Sequence, residues 1–526
     1  MGKTSVRLLI LVTSFALVVA ACGGGEADSP TTTAEGTGGT TATTSGTPDT
    51  QPPAQSGGEV VIAIGAEPST LDPQLRDEGA MLAVNGNIYE TLVTRTPEGD
   101  LTPSLATDLG TILDDTTWQF KLRDDVTFQN GEAFNADAVV ASVNRIIDPD
   151  YGSEQISNFE TIVGAEKIDD VTVNILTSGP DPILPARMTL MHMVPALASG
   201  DESFADSPVG SGPYKFVKWD RGSEIVLAAN EDYWGGRPAV DGVTFRFIEE
   251  AGTRLAGVLA GEVDLTISLA PEDFDRVPQS FAVKGVQHVG IILNTRPGSP
   301  IGDVRIRQAL NYAVDKEAIV SALFSGFAGV DPGQFVNESW FGFNPNLEAY
   351  PYDPDKARAL LEEAGATGMT IPLVGVSGRL LKDRETVEAV AGYWEAVGLK
   401  VDLQILEFSA FLDRFFDREN RPVTNYIIHE NTLFDADRTV TLYYHKDGAA
   451  SSNADDEISA WIDEARTELD PVRRLQLYND VLQKGYDEAM FVFLANQQDT
   501  YGASERLIWA PRVDGKILAK DMALNP

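Results

Sequence analysis

The spacing of apolar and polar positions predicts both strands and helices along this chain. Residues 59–65 contain a continuous apolar run, which is typical of a buried strand. Residues 118–122 alternate apolar and polar side chains, as a half-buried strand does. Val139 and Ile146 share one face of a predicted helix, for which Asn135 supplies an N-capping side chain.

The same patterns predict the other elements that matter for function. Further helices are predicted over residues 85–92, 251–260 and 303–316, as a pair within residues 454–490, and after an Asp353 cap up to residue 365. Further strands are predicted over residues 126–128, 171–176, 215–219, 290–294, 370–376 and 491–495.

The first 57 residues differ in composition from the rest of the chain. Residues 1–21 combine a basic start with a short apolar stretch, as a secretory signal peptide does. The small residues directly before Cys22 resemble the lipobox of bacterial lipoproteins, which implies that the Cys22 thiol carries lipid. Residues 22–57 consist mostly of Gly, Thr, Ser, Pro and Ala, and such a segment cannot bury enough apolar surface to fold. We therefore predict a flexible tether that spans roughly 30 Å on average.

Length, charge and residue types exclude several classes of function. A chain of 526 residues is expected to form two or three domains. The formal net charge of -39 argues against binding nucleic acid or anionic lipid, because both need a basic face. Cys22 is the one cysteine and the four histidines show no close metal-ligand spacing, so neither a metal nor a cofactor is predicted. After residue 22, no apolar run is long enough to span a bilayer.

The sequence contains no recognisable catalytic motif. No Gly-x-Ser-x-Gly motif precedes a predicted helix, and no pair of carboxylates stands out from the general acidity. We therefore predict a protein that is not an enzyme. Two alternatives stay open, namely a secreted, lipid-anchored hydrolase and a solute sensor that docks a signalling partner.

Four ordered motifs resemble those of a known family. Residues 117–145 contain a Trp-x-Phe-x-Leu-Arg strand, an Asn-Gly turn and the Asn135-capped helix. GSGPY follows at residues 210–214, GEVD at 261–264 and VRIRQAL at 304–310. This order resembles the extracellular solute-binding proteins of family 5, which include the dipeptide, oligopeptide and nickel receptors of bacterial ABC importers.

The resemblance covers roughly residues 58–526 and implies an α/β fold. The expected type is the two-lobed, class II periplasmic-binding-protein fold with an inserted third side domain. A ligand would be enclosed by a hinge motion at two chain crossings, near residues 286 and 495. The implied boundaries are residues 58–92, 206–285 and 496–526 for lobe I, residues 93–205 for the side domain, and residues 286–495 for lobe II.

The resemblance also implies which residues reach the ligand. In relatives, a lobe II loop binds the α-amino group of a peptide through an Asp, and Thr432 stands at the position of that Asp. Glu430 is the nearest acidic residue that could take over the cation, unless the ligand lacks an amine. Arg379 is the candidate for the ligand carboxylate, although an arginine on such a loop is usually solvated. The implied ligand-binding residues are Asp77, Glu78, Gly79, Ala80, Trp340, Arg379, His429, Glu430, Asn431 and Thr432.

Several of these residues have a plain structural alternative. Residues 77–80 are either a ligand loop or a solvated acidic loop. Trp340 either lines the pocket or fills a core. His429 replaces an aromatic residue that relatives usually carry, which leaves the binding of a free amine open.

The function that the resemblance implies is capture of a small solute, a peptide or a peptide-like molecule, for delivery to an ABC permease. Opines, modified peptides, sugars and nickel chelates stay open as ligands. Through its N-terminal lipid, the protein would be held on the outer face of the cytoplasmic membrane. It is expected to act there as a monomer, without nucleic acid.

The predicted anchoring is testable by replacing the cysteine. Cys22→Ala should release the protein into the medium or leave the signal peptide uncut, because no thiol is then available for lipid. Immunoblots of membrane and medium fractions measure the distribution, and Ser5→Ala in the same leader is the matched control. Normal membrane retention of Cys22→Ala would contradict lipid anchoring.

Overall fold

The computed structural model describes residues 57–200, 202–377, 382–417 and 419–525. The predicted signal peptide, Cys22, nearly all of the tether and Arg379 lie outside the described residues. Within those residues, no helix combines the length and the apolar character needed to cross a membrane.

The described chain mixes strands and helices throughout. The strands are β1 Glu59–Ile64, β2 Val93–Arg95, β3 Leu101–Pro103, β4 Thr111–Asp114, β5 Thr117–Lys121, β6 Ile162–Asp169, β7 Thr172–Thr177, β8 Tyr214–Asp220, β9 Glu224–Ala229, β10 Gly242–Phe247, β11 Leu265–Ile267, β12 Gln279–Leu293, β13 Ala328–Val330, β14 Thr370–Ser377, β15 Lys400–Glu407, β16 Thr424–Glu430, β17 Phe491–Ala503, β18 Leu507–Ile508 and β19 Ala523–Leu524. The α-helices are α1 Gly79–Asn85, α2 Ala136–Ile147, α3 Leu184–Arg187, α4 Ala251–Leu259, α5 Val304–Tyr312, α6 Lys316–Phe324, α7 Pro354–Glu363, α8 Asp383–Ala396, α9 Phe408–Phe416, α10 Ala436–Tyr443, α11 Asp456–Thr467 and α12 Pro471–Asp487.

One large sheet runs through both lobes. Its strand order is β15-β14-β16-β12-β17-β11-β1-β10-β9-β8, with β13 paired to β17. The central strands β12 and β17 are antiparallel and are the longest, at 15 and 13 residues. Strands β14, β15 and β16 flank one half of this pair, and β1 and β11 flank the other half. The two halves of the sheet form the two lobes.

A β-bulge interrupts the central pair where the lobes meet. Lys284 pairs with Gln498, but His288 pairs with Asn496, so residues 285–287 stand opposite a single residue. The Asn496 side chain donates from Nδ2 to the carbonyl oxygens of residues 285 and 287, at 3.1 and 2.9 Å. Side-chain hydrogen bonds thus replace the missing ladder bonds, and the strands can bend at this point.

Each lobe and the side domain has its own apolar core. The lobe II core lies around Trp394 and Tyr478, and the lobe I core around Tyr214 and Phe245. In the side domain, α2 packs on a four-stranded sheet of order β4-β5-β7-β6, and Phe120 lies at the centre of that core. Separate cores allow the lobes to move as units.

The predicted helix caps in the side domain and lobe II are confirmed. The Asn135 side chain accepts hydrogen bonds from the backbone N–H groups of Asp137 and Ala138, at 3.0 and 3.2 Å. Asp353 likewise accepts from the Lys356 N–H group at 2.9 Å. Short polar side chains at these positions satisfy helix donors that have no intrahelical partner.

The predicted helix over residues 85–92 is wrong. The helix there is α1, which starts inside the expected ligand loop and ends at Asn85. The following chain turns because the Asn87 side chain donates to the Ala83 and Ile517 carbonyl oxygens and accepts from the Ala519 N–H group. The contacts to Ile517 and Ala519 come from a distant segment and outweigh the local apolar spacing.

The single helix predicted over residues 303–316 is also wrong. The chain forms α5 and α6 instead, because Asp315 caps a new helix by accepting from the Ala318 N–H group at 2.9 Å. The strand predicted at residues 126–128 is only an isolated bridge between Thr127 and Ala133. By contrast, the short strands predicted at residues 290–294 and 491–495 are parts of the much longer β12 and β17.

Candidate ligand-binding cleft

The lobe II loop that the family resemblance implies as a ligand contact lies beside the bulge. We name its residues 429–435 the site loop. Glu430 ends β16 and pairs with Gln287 in the bulge, and the Asn431 N–H group donates to the Val286 carbonyl oxygen at 3.4 Å. The site loop therefore starts at the place where the two lobes join.

The side domain holds the outer half of the site loop. Arg95 donates from Nη2 to the Leu433 carbonyl oxygen at 2.6 Å, and its guanidinium lies 4.3 Å from the ring centroid of Phe434. The Leu433 side chain packs in an apolar cluster with Ile183 and Ala186. Phe434 has a φ of 56°, an unfavourable value for a bulky residue that these contacts keep in place.

Further contacts join lobe I and the side domain to lobe II. Arg438 donates from Nη1 to the Asn158 side-chain oxygen at 2.6 Å. The rings of Phe274 and Phe327 stack with centroids 3.8 Å apart. Together with the site-loop contacts, these pairs connect lobe I and the side domain to lobe II.

Two of the expected ligand residues, His429 and Asn431, are buried inside lobe II. His429 is 1% exposed, and its Nε2 lies 2.7 Å from the Thr439 hydroxyl oxygen. Burial holds the pKa of His429 well below its usual value, so the ring is neutral. The Asn431 side chain donates to the Asp435 carbonyl oxygen at 2.8 Å and accepts from the Leu433 N–H group at 3.1 Å. Both side chains therefore shape the loop.

Trp340 connects the bulge to the site loop from within the lobe II core. It is 3% exposed, and its ring centroid lies 5.5 Å from those of both His288 and Phe434. His288 directly follows the bulge, and its Nδ1 lies 2.9 Å from a carboxylate oxygen of Asp331. Trp340 thus occupies the core position that the sequence left as an alternative, and a ligand contact by this residue stays a prediction.

A buried ion pair fixes the end of the site loop. Asp435 accepts two hydrogen bonds from the Arg474 guanidinium, at 2.8 and 2.6 Å, and both side chains are buried. Asp435 also caps α10 by accepting from the Asp437 N–H group at 2.9 Å. Removal of one partner from such a pair typically costs about 3–5 kcal/mol, so the loop has a rigid base.

The carboxylates of Glu430 and Asp499 lie within electrostatic range of each other on the accessible side of the site loop. Glu430 is exposed and Thr432 is half-buried. Asp499 on β17 is half-buried, and its carboxylate lies over Gly285 and Gly515, whose absent Cβ atoms would approach it to 3.3 and 3.5 Å. Burial first, and then the charge of Glu430, raise the pKa of Asp499 to about 6. Among the described residues, neither carboxylate has an ion-pair or hydrogen-bond partner.

Sequence reasoning missed Asp499. The signal that could have revealed it is the polar run Asn-Gln-Gln-Asp at residues 496–499, which interrupts an otherwise apolar strand. A polar interruption in a central strand needs a reason, because unpaired polar groups are costly in a core. Here the bulge and the cleft supply that reason.

The expected lobe I loop, residues 77–80, lies against the side domain. The Glu78 carboxylate accepts from the Ser69 N–H and hydroxyl groups at 3.0 and 2.5 Å. The Asp77 N–H group donates to the Glu154 carboxylate at 3.4 Å. Among the described residues, no hydrogen bond joins this loop to the site loop, and its ligand contact stays a prediction.

A cavity of about 450 Å³ opens between the side domain and lobe II. Its charged lining residues are Arg95, Asp100, Asp435 and Arg474, of which the last two are paired with each other. Most of the other lining residues are apolar, among them Leu101, Ile112, Trp118, Pro182, Ile183, Leu433 and Phe434. Within the described chain, no group of three His, Cys, Asp or Glu side chains is placed to hold a metal ion.

Comparison with known proteins identifies the family. A family model described as bacterial extracellular solute-binding proteins, family 5 Middle, matches residues 100–451. The chain belongs to this family. Heme-binding protein A of Haemophilus influenzae is 30% identical over 407 residues, which cover 70% of this chain and 74% of that protein. The dipeptide-binding protein of Escherichia coli is 27% identical over 473 residues, 82% of this chain and 87% of that one.

Solved structures with a similar fold agree with the assignment to family 5. HbpA2 from Haemophilus parasuis has a TM-score of 0.79 at 25% identity, over 89% of this chain and all of that chain. CtaP from Listeria monocytogenes, an ABC transporter substrate-binding protein, has a TM-score of 0.81 at 22% identity and covers 90% of this chain. These neighbours confirm the two-lobed α/β fold. The chain is a substrate-binding protein of an ABC importer and not an enzyme, so the hydrolase alternative is wrong.

The raised pKa of Asp499 predicts a pH-dependent stability of the unliganded protein. An unfolded Asp has a pKa of about 3.9, whereas folded Asp499 keeps its proton up to about pH 6. The folded state therefore binds more protons between these values, and the free energy of unfolding should fall as the pH rises through them. Asp499→Asn should raise the free energy of unfolding by about 1–2 kcal/mol at pH 8, after allowance for partial exposure. At pH 4.5 the increase should be much smaller.

Thermal unfolding of ligand-free protein at the two pH values measures this difference. Asp275→Asn is the matched control, because Asp275 is an exposed carboxylate of lobe I. An equal gain from Asp499→Asn at pH 4.5 and pH 8 would show that the charge of Asp499 is not the cause.

Proposed function

We propose that this lipid-anchored binding protein captures peptides or peptide-like solutes that carry a free amine. The ligand lies between the lobes beside the bulge, with its ammonium group against Glu430 and Asp499. Closure of the lobes then presents the complex to a permease in the cytoplasmic membrane. The Cys22 lipid and the tether of residues 22–57 keep the protein within reach of that permease.

The observation that carries this proposal is the pair of carboxylates Glu430 and Asp499, which have no cation within ion-pair distance among the described residues. Two like charges near each other in a partly dry cleft raise the free energy of the empty protein. An ammonium group placed between Glu430 and Asp499 would restore the ionised form of Asp499 and donate charge-assisted hydrogen bonds to both carboxylates. The cleft is therefore suited to a cationic group.

The identity of the relatives supports a peptide or a related molecule as the ligand. The Escherichia coli relative is named a dipeptide-binding protein, and a Pectobacterium atrosepticum relative, 30% identical over 323 residues, is named a glutathione-binding protein. That match covers 60% of this chain and 62% of the relative. In family 5 relatives, an Asp at the position of Thr432 holds the amine. Here Glu430 and Asp499 would replace that Asp, one on each side of the cleft.

The rigid site loop supports binding by closure of preformed surfaces. His429, Asn431 and Trp340 are buried and hold the loop in shape before any ligand arrives. Glu430 and Thr432 are left to meet the ligand. Pre-organised loops lose less entropy on binding, so such a loop favours affinity for small solutes. Arg379 stays a hypothesis for the carboxylate end of the ligand.

Closure should be visible as a contraction in solution. A variant that begins at residue 58 should be soluble and monomeric, because lipid and tether add nothing to the cores. Its radius of gyration, measured by small-angle X-ray scattering, should fall when a mixture of dipeptides is added. The same dipeptides with acetylated N-termini and amidated C-termini are the control and should leave it unchanged. Equal scattering with and without free dipeptides would argue against ligand-driven closure.

Recognition of the amine is testable with the two carboxylates. Wild-type protein, offered a mixture of dipeptides in free and N-acetylated forms, should retain the free forms at least tenfold better, which corresponds to about 1.4 kcal/mol. Asp499→Asn and Glu430→Gln should each reduce that preference, because each removes a charge that holds the ammonium group. Mass spectrometry of the released peptides gives the ratio.

Asp275→Asn serves again as the control and should keep the wild-type preference. A wild-type protein that retains both forms equally would contradict recognition of an amine and would favour a neutral ligand. Retention of the full preference in both carboxylate variants would place the amine site elsewhere.

A further inference from the structure

The C-terminal segment of residues 513–516 forms part of the cleft, and we name it the C-terminal wall. Val513 packs against the lobe II core, and its N–H group donates to the Pro97 carbonyl oxygen at 3.1 Å. Gly515 lies against the carboxylate of Asp499. A segment that touches lobe I, lobe II and the side domain has to border the space between them.

Lys516 in this wall is a half-buried cation with little compensation. Its Nζ has one long contact, 3.4 Å to the Thr189 carbonyl oxygen. The adjacent carboxylate of Asp514 is occupied by Arg512, with two hydrogen bonds of 2.9 Å. Among the described residues, no carboxylate lies within ion-pair distance of the Lys516 ammonium group. Burial accordingly lowers the pKa of Lys516, although the charge of Asp514 opposes this effect.

The lack of an acidic partner is unexpected in this chain. Acidic residues number 79 and basic residues 40, so carboxylates are abundant around most cations. Lys316 shows how a structural lysine is satisfied here, because it is buried and donates to two carbonyl oxygens at 3.1 Å each. A charge that is partly removed from water is normally paired or fully hydrogen-bonded, and among the described residues Lys516 is neither.

The surroundings of Lys516 offer more unused hydrogen-bonding capacity. His192 is 6% exposed, and its Nδ1 is buried without a partner in the described structure. Burial first, and then the charge of Lys516, lower the pKa of His192 to about 3, so the ring is neutral and adds no competing charge. Arg95 lies within electrostatic range of Lys516, and its Nε is likewise buried without a partner. This corner of the cleft is therefore suited to an anion.

We propose that Lys516 binds the negatively charged group of the ligand, a carboxylate in a peptide-like solute, in a corner that it shares with His192. This inference rests on the proposed function, because it takes a peptide-like ligand between the lobes as given. The cleft would then hold an ammonium group at Glu430 and Asp499 and a carboxylate at Lys516. Such a charge pattern selects zwitterions and rejects neutral or singly charged analogues. Lys516 and Arg379 are thus alternative candidates for binding the ligand carboxylate.

The test measures the preference for a free C-terminus. Purified wild-type protein and variants are offered a mixture of dipeptides, each as free acid and as C-terminal amide, and the retained peptides are identified by mass spectrometry. Wild-type protein should retain the free acids about tenfold better or more. Lys516→Met should abolish the preference, whereas Lys516→Arg should keep most of it, because the cation is retained.

Lys520→Met is the matched control, since Lys520 is exposed, lies four residues away and changes the net charge by the same amount. It should keep the wild-type preference. A folded Lys516→Met variant that still prefers free acids would overturn the assignment and leave Arg379 as the carboxylate partner. Wild-type protein that retains acids and amides equally would overturn it as well. Retention of no peptide in either form would instead contradict the proposed peptide function and, with it, this assignment.

Discussion

β12 and β17 belong to both lobes, and their antiparallel pairing holds the large sheet together across the cleft. A paired strand that bends sharply loses ladder hydrogen bonds at the bend. The hinge is therefore expected where the ladder is already interrupted. The bulge at residues 285–287 is such a place, because Asn496 supplies the hydrogen bonds there through its side chain. It coincides with the crossing where we predict the hinge, and a rotation there would leave the strands of each lobe paired.

Next to this bulge, lobe II concentrates buried, hydrogen-bonded side chains in the site loop. Asn431 and the Asp435–Arg474 pair satisfy buried groups that would be costly if left open. The side domain adds Arg95 under Phe434, so the outer half of the loop is clamped from outside lobe II. The result is a loop with a rigid interior and only a few side chains available to a solute.

Charge is distributed differently inside the cleft from the rest of the molecule. On the surface, basic side chains mostly meet the abundant carboxylates, and such exposed pairs contribute little to stability. Among the described residues, Glu430 and Asp499 beside the bulge have no cation within ion-pair distance, and Lys516 near His192 has no carboxylate within that distance. Groups left uncompensated at one site of an otherwise satisfied protein are typical of ligand binding, where the solute completes them.

The sequence alone determined the family, the α/β fold and the local elements whose causes are local. Asn135 and Asp353 cap helices through hydrogen bonds to residues two or three positions away, so their patterns are visible in a short stretch. It also singled out the site loop as a candidate for ligand binding, because an ordered series of motifs extends across most of the chain. Only the tertiary structure decided that α1 stops at Asn85, and that the Asp499 carboxylate lies against Gly515. Those outcomes depend on contacts between segments far apart in the chain, which local spacing of apolar and polar residues does not encode.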